Sequence, residues 1–153
     1  MHALARLLSA GNICLDLDAG SKDALLEQAA RLLQQRQGLE SSRVLSSLLR
    51  REAAASTALG HGAAVAHASI PGLRQPVALL LRTRCAIPFD APDGEPVALF
   101  FVLLVPEAAC EEQLELLSMA AGLFSENTFR ERLRVCRSVG AVLELLDDWI
   151  SVY

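Results

Sequence analysis

The sequence has no excess of positive charge. Its 14 lysine and arginine residues stand against 18 aspartate and glutamate residues, which gives a formal net charge of −4 at pH 7. Proteins that bind DNA or RNA mainly by neutralising phosphates carry the opposite imbalance, usually concentrated in a basic patch. We therefore expect no nucleic-acid partner.

Long hydrophobic runs are also missing, although 52% of the 153 residues are hydrophobic and the mean hydropathy is +0.33. The longest apolar run, Val97–Val105, is bracketed by Pro96 and Pro106, and a membrane-spanning helix needs about 20 apolar residues. The N-terminal residues lack the small-residue cleavage site of a signal peptide. These features predict a cytoplasmic protein that is not embedded in a membrane.

Paired cysteines are absent as well. Cys14, Cys85, Cys110 and Cys136 lie far apart, with no Cys-x-x-Cys pair and no histidine close enough to complete a zinc site. A reducing compartment also disfavours a disulfide framework. We expect the four side chains to be small buried hydrophobic groups.

The hydrophobic pattern predicts two helices, a set of strands and then three more helices. The predicted elements are helices from Ser21 to about Gln37 and from Ser41 or Ser42 to near Glu52, strands at Ala63–Ala66, Pro76–Arg82 and Val97–Val105, and helices carrying Leu114, capped by Thr128 and capped by Ser138. The last two strands are continuously apolar, which is typical of strands covered on both faces. This order predicts one α/β domain with a sheet layered between helices.

Only three histidines occur in the chain, and two of them flank a short predicted strand. Gly60 and Gly62 surround His61, and glycines let backbone N–H groups converge into an anion-binding nest. His67 follows the strand; a lone histidine beside apolar residues is more often a packed or capping residue than a functional one, and the glycine loop is what favours a functional interpretation. A metal site is poorly supported because no carboxylate or cysteine lies between the two histidines, and the GxSxG, Walker and dinucleotide motifs are absent.

Arginines lie at two places that bear on these histidines. Arg50 and Arg51 end the second predicted helix, where they either compensate its C-terminus or bring one cation to an oxyanion near His67. A later series of arginines predicts a solvated helix face; its members are Arg130, Arg132, Arg134 and Arg137.

Several blocks of the sequence, in order, resemble one family. Arg51-Glu52, Ser56-Thr57 and Leu59–His67 resemble the RE…ST.(I/L)G.G.A(I/V)PHG signature of the enzyme IIA components of the phosphoenolpyruvate:sugar phosphotransferase system. The resemblance is to the mannitol/fructose-type branch, and most closely to the nitrogen-regulatory IIA proteins. It continues in three later blocks, Ile87–Val97, Phe101–Pro106 and Leu114–Ser118.

The resemblance implies both a fold and a reaction. The fold would be a three-layer α/β/α sandwich with a mixed central sheet flanked by helices, and residues 1–153 would form a single IIA type-2 domain. His67 would accept a phosphoryl group on Nε2 from an HPr-like phosphohistidine carrier, and Arg51 would help to bind that group. No metal or nucleotide cofactor would be needed. The phosphorylation state would then act on regulatory target proteins such as kinases or transporters.

The chain departs from the family pattern around the predicted site. Pro-His-Gly is replaced by Ala66-His67-Ala68, and Ala68 would be strained if that position required a positive φ. The family's second active-site histidine is Gln113 here, which can donate a hydrogen bond but cannot add a positive charge to it. His61 is therefore a candidate helper of His67.

Two functions follow from these residues. The first is a regulatory phosphoacceptor that is phosphorylated on His67. The alternative is a divergent, non-catalytic IIA-like module that regulates its partner proteins by binding them without phosphotransfer.

Overall fold

The computed structural model describes the backbone of residues 2–108 and 111–152 and the side chains of residues 4–108 and 111–149. This part of the chain contains six α-helices and five β-strands. They are α1 (His2–Leu7), β1 (Ile13–Leu17), α2 (Lys22–Gln37), α3 (Ser41–Ala54), β2 (Ala58–Gly60), β3 (Ala63–Ile70), β4 (Val77–Ile87), β5 (Val97–Pro106), α4 (Glu111–Ser125), α5 (Asn127–Val135) and α6 (Val139–Val152).

The five strands form one mixed sheet in the order β1-β4-β5-β3-β2. β1 runs parallel to β4 and β3 runs parallel to β5, whereas the β4–β5 and β2–β3 pairs are antiparallel. β2 pairs only with Ala63 and Ala64. Beyond these two residues β3 therefore has a strand on one side only, and His67 lies in this edge segment.

Two separate hydrophobic cores cover the two faces of the sheet. Alternate residues of β5 face opposite ways, so Phe100 and Val102 pack under α2 and α3 while Phe101 and Leu103 pack under the helices of the other layer. The α/β/α sandwich with a mixed sheet is thus confirmed. No helix among the described residues is long and apolar enough to cross a membrane.

Local capping explains where several helices begin and end. Ser21 Oγ accepts a hydrogen bond from the N–H of Ala24, Gly38 ends α2 in the left-handed conformation, and Ser138 Oγ accepts from the N–H of Ala141. The predicted start of α2 at Ser21, its end near Gln37 and the cap at Ser138 are thereby confirmed.

Five predicted boundaries were wrong, one of them the end of β4, which continues past Arg82 to Ile87. The N-cap of α3 is Glu40, which makes no side-chain cap bond, and the helix continues past Glu52 to Ala54. Glu126 precedes α5, so Thr128 lies inside that helix. β3 continues past Ala66 to Ile70 because it stays paired with β5 as far as Pro106.

Candidate functional site

His67 lies on the edge segment of β3, half-buried, and pairs with Leu103 of β5. Ala66 and Ala68 on either side belong to the core under α2 and α3, so the His67 side chain starts from the opposite face. The N–H of Val65 bonds to the carbonyl of Thr57, away from β5. Because backbone groups alternate along a strand, the N–H of His67 also points to this outer edge.

Two hydrogen bonds determine which ring nitrogen of His67 carries the proton. Nδ1 lies 3.1 Å from the carbonyl oxygen of Val65, and Nε2 lies 3.1 Å from Nε of Arg51. A carbonyl can only accept and a guanidinium can only donate, so Nδ1 is protonated and Nε2 holds the lone pair. The nucleophilic atom is therefore Nε2, on the side where Arg51 lies.

The surroundings of His67 favour the neutral ring. Burial lowers the pKa of His67, and the charge of Arg51 lowers it further, while the hydrogen bond to Val65 and the charge of Glu52 act in the opposite direction. The net direction is downward from the ordinary histidine value of 6.5. A ring that is unprotonated at neutral pH retains its lone pair for attack.

Arg51 fulfils both of the roles between which the sequence left a choice. It lies in the last turn of α3, where Nη1 donates to the carbonyl of Ala55 at 2.9 Å and so satisfies a group at the helix C-terminus. At the same time its Nε reaches His67. Arg50 points elsewhere and lines a groove with Ser47 and Ser69.

Glu52 anchors the turn that follows Arg51. Its side chain is buried, and it accepts hydrogen bonds from the backbone N–H of Thr57, at 3.1 Å, and from the Thr57 hydroxyl. Lys22, the only lysine of the sequence, lies 2.8 Å from the Glu52 carboxylate and 4.8 Å from the centre of the Phe89 ring. This paired buried charge links α2, α3 and the start of β2, and thereby holds the backbone that carries Arg51.

His61 lies at the other end of β3. It is exposed in the turn between β2 and β3; its N–H donates to Asp93 Oδ2 at 2.8 Å and its carbonyl accepts from Arg134 at 2.6 Å. Four strand residues from Ala63 to His67 span about 13 Å. The structure therefore does not bring His61 or the glycine turn to the His67 ring, and this placement supports neither the predicted nest nor the helper role.

The two other departures from the family pattern have different consequences. Ala68 lies within β3 and is not among the residues with positive φ, so the strain expected for it does not arise. Gln113 lies half-buried in the first turn of α4. Of the described residues, only Arg51 and Val65 hydrogen-bond to the His67 ring, and Gln113 does not.

Comparisons with known proteins agree on the family. The model of the family described as "Phosphoenolpyruvate-dependent sugar phosphotransferase system, EIIA 2" matches residues 6–149. The chain belongs to this EIIA 2 family. It is 36% identical over 149 residues to the nitrogen regulatory protein of Pseudomonas aeruginosa, covering 97% of both chains.

This EIIA 2 chain is also similar in structure to solved IIA proteins. The nitrogen regulatory protein IIA-Ntr from Neisseria meningitidis superposes with a TM-score of 0.89 at 42% identity, covering 94% of this chain and 99% of that one. The mannitol IIA protein of Escherichia coli superposes with a TM-score of 0.76 at 23% identity, covering 91% and 98%, which shows the fold alone. The predicted resemblance to nitrogen-regulatory IIA proteins is confirmed.

Two other predictions about side chains of this EIIA 2 chain need correction. Arg130 is 5% exposed and does not lie on a solvated face, because it falls on the buried face of α5 beside Phe129 and Leu133. The cysteines are not fully buried: Cys14 and Cys136 are half-buried and Cys85 is exposed. Cys110 lies outside the described residues.

Sequence reasoning missed the roles of Glu52 and Lys22. Glu52 lies inside the family motif, but no local pattern pairs it with a lysine thirty positions earlier. A buried carboxylate requires hydrogen-bond donors and usually a cation. The single lysine of this arginine-rich chain was therefore the one sequence signal that could have pointed to the Glu52–Lys22 pair. Among the described residues, no three histidine, cysteine, aspartate or glutamate side chains lie close enough together to hold a metal ion.

Proposed function

We propose that this chain accepts a phosphoryl group on Nε2 of His67 from an HPr-like phosphohistidine carrier in the cytoplasm, and that the phosphorylation state regulates target proteins. The observation that carries the proposal is the pair of contacts on the ring, since Val65 fixes the proton on Nδ1 and leaves the lone pair on Nε2 beside a guanidinium. Family membership supports the same reaction class. We further propose that residues 1–153 act as one IIA type-2 domain.

The transfer requires attack by His67 on the carrier's phosphorus. The Nε2–P bond forms while the N–P bond of the carrier breaks, and the carrier's imidazole keeps the electron pair of the broken bond. As Nε2 gives up its lone pair the ring acquires positive charge. The carbonyl of Val65, which already accepts the Nδ1 proton, stabilises that charge.

Arg51 has two successive partners in this scheme. Its Nε–H now occupies the Nε2 lone pair, so this bond must break before Nε2 can attack. The guanidinium is then next to the arriving phosphoryl group, where its planar fork of donors suits phosphate oxygens. Phosphoryl transfer passes through a loose transition state that depends mainly on positioning and on such donors. The outward N–H of His67 at the strand edge is a further donor to the same oxygens.

A carrier-dependent labelling assay tests the proposal. The chain is incubated with phosphoenolpyruvate, enzyme I and an HPr-like carrier, and an acid-labile phosphoryl adduct is measured. We expect the wild type and the His61→Ala variant to be labelled and His67→Ala to remain unlabelled. Absence of label on the wild type, under conditions that label an ordinary IIA protein, would contradict the proposal.

The non-catalytic module is favoured by one observation only. Gln113 occupies the position of the family's second histidine and makes no hydrogen bond to His67 among the described residues. If the chain is such a non-catalytic module, it binds its partner proteins independently of phosphorylation. The same assay separates the two functions, because a module of this kind remains unlabelled whatever the carrier concentration.

A further inference from the structure

A large cavity lies at the end of the sheet opposite to His67. Its volume is about 660 Å³, which is within the range of small-molecule sites. It opens between the β2–β3 turn, the end of β4, the start of β5 and α5. Four of its lining residues are arginines, namely Arg82, Arg84, Arg130 and Arg134.

Arg130 is a buried cation without an acidic partner. It is 5% exposed, and its guanidinium donates to the Phe124 carbonyl at 3.2 Å and to Asn127 Oδ1 at 3.3 Å. Both acceptors are neutral. The ion pairs formed within the described part of the chain do not include Arg130. A buried charge that lacks a counter-ion is costly, so an anion in the cavity would compensate it.

Arg134 places a second guanidinium on the same wall. It lies four residues after Arg130, on the same face of α5, where two like charges repel each other. Its Nη2 donates to the carbonyl of His61 at 2.6 Å, and a Cβ atom on Gly62 would lie 2.6 Å from this nitrogen. The positive φ of 79° at Gly62 favours glycine, and the missing Cβ leaves room for the guanidinium in the position it occupies.

Four carboxylates line the cavity, and none of them forms an ion pair with Arg130 or Arg134; Glu95 and Glu131 take part in no ion pair of the described residues. Asp93 accepts the N–H groups of His61 and Glu95, and these bonds hold its pKa below the ordinary value. Asp16 contacts Arg82 instead, at 3.5 Å. Arg82 itself donates to the carbonyls at the end of α5. Of the four lining arginines, Arg84 of β4, Arg130 and Arg134 form no ion pair within the described part of the chain, and the last two lie together on α5.

We propose that this cavity binds a small oxyanion, a carboxylate or a phosphate group of a small molecule, between Arg130 and Arg134. Two guanidinium groups on one wall can hold the oxygens of such a group by charge-assisted hydrogen bonds. The site shares no residue with the His67–Arg51 pair. It is therefore a ligand site in addition to the proposed phosphoacceptor.

Calorimetric titration tests this proposal. The full chain is titrated with sodium phosphate and, separately, with sodium succinate, at constant ionic strength. At least one of the two anions is expected to bind and, at ten times its dissociation constant, to raise the unfolding midpoint by about 3–6 °C. Binding of phosphate alone assigns a phosphorylated ligand, and binding of succinate alone assigns a carboxylate.

Variants locate the anion. Arg134→Gln, an exposed position, is expected to weaken binding about tenfold by removing a charge-assisted bond, and Arg130→Gln is expected to do the same if its unfolding midpoint shows that it folds. The matched control Arg31→Gln, on α2, is expected to bind like the wild type, and Arg51→Gln, which alters only the His67 site, is expected to retain anion binding at the cavity. Absence of binding of both anions, equal binding by Arg134→Gln, or loss of binding in Arg51→Gln would overturn the proposal.

Discussion

At the scale of single residues, the contact between Arg51 and His67 controls the chemistry of the ring. Burial lowers the pKa of the ring and the guanidinium charge lowers it further, and the guanidinium also occupies the Nε2 lone pair. The two effects have opposite consequences for reactivity, since a neutral ring is nucleophilic but a lone pair engaged in a hydrogen bond is not free to attack. Variants of Arg51 separate the two.

The pKa of His67 depends on Arg51 in a direction that can be measured. Burial and the charge of Arg51 lower this pKa, so removing the charge in Arg51→Gln is expected to raise it. The wild-type ring then stays neutral, and able to accept phosphate, at a lower pH than the ring of the variant. The measurement is an NMR titration of the His67 ring protons, with Arg50→Gln as the matched control. An unchanged or lower pKa in Arg51→Gln would contradict this account of the ring.

Gln113 sets a second test at the same scale. Replacing it by histidine restores a donor that can carry a positive charge, and charge-assisted hydrogen bonds are about twice as strong as neutral ones. We expect Gln113→His to increase the rate of phosphoryl transfer about fivefold to tenfold, corresponding to about 1 kcal/mol. Carrier-dependent labelling over time gives the rate, and Glu112→His on the same helix turn is the control. Equal rates for wild type and Gln113→His would show that this position does not contact the phosphoryl group.

At the scale of elements, the site depends on how α3 is joined to β2. Glu52 receives two donors of Thr57 and the ammonium group of Lys22. Glu52 thereby fixes the backbone turn immediately after Arg51, and Arg51 contacts His67 of β3. The site is therefore built where a helix end crosses the open edge of a strand.

Weakening the Glu52 network is expected to affect stability and the site together. Glu52→Gln leaves Lys22 with only its exposed partner Asp90, at 3.1 Å, and losses of this kind cost about 1–3 kcal/mol. Urea unfolding measures the loss, and Glu27→Gln, an exposed helix position, is the control. We also expect slower labelling of His67 by the carrier. A variant with wild-type stability would show that the network does not support this turn.

The sequence predicted those elements whose signals are local. Ser21 and Gly38 define the ends of α2 through groups within one helical turn, and β5 is apolar throughout because both of its faces are covered. β3 was predicted too short because His67 and Ser69 interrupt its apolar run. These two residues lie on the face that is only partly covered, so their polarity reflects the position of the edge and not the end of the strand.

At the scale of the whole molecule, the two ends of β3 carry different groups. His67 and Arg51 lie near one end, and the turn of His61 and Gly62 contributes to the arginine-lined cavity at the other. From the sequence, His61 and His67 were predicted to share one site, because only six positions separate them. An extended strand converts that short sequence separation into a long distance.

Contacts between distant parts of the chain explain what the sequence did not reveal. Resemblance to a family supplied His67 and Arg51 as candidates, and the structure adds their contact and the tautomer it selects. The buried position of Arg130 depends on the packing of α5 against the sheet, which no local pattern encodes. The same holds for the cavity that this helix closes.

Phosphorus NMR of the wild-type chain, after incubation with phosphoenolpyruvate, enzyme I and an HPr-like carrier, tests the central claim most directly. Because the Nδ1 proton is held by Val65 and the lone pair lies on Nε2, the account predicts one phosphoimidazole signal with the chemical shift of the Nε2 isomer, which is lost in His67→Ala. A signal of the Nδ1 isomer, a signal that persists in His67→Ala, or no phosphorylated histidine at all would contradict it.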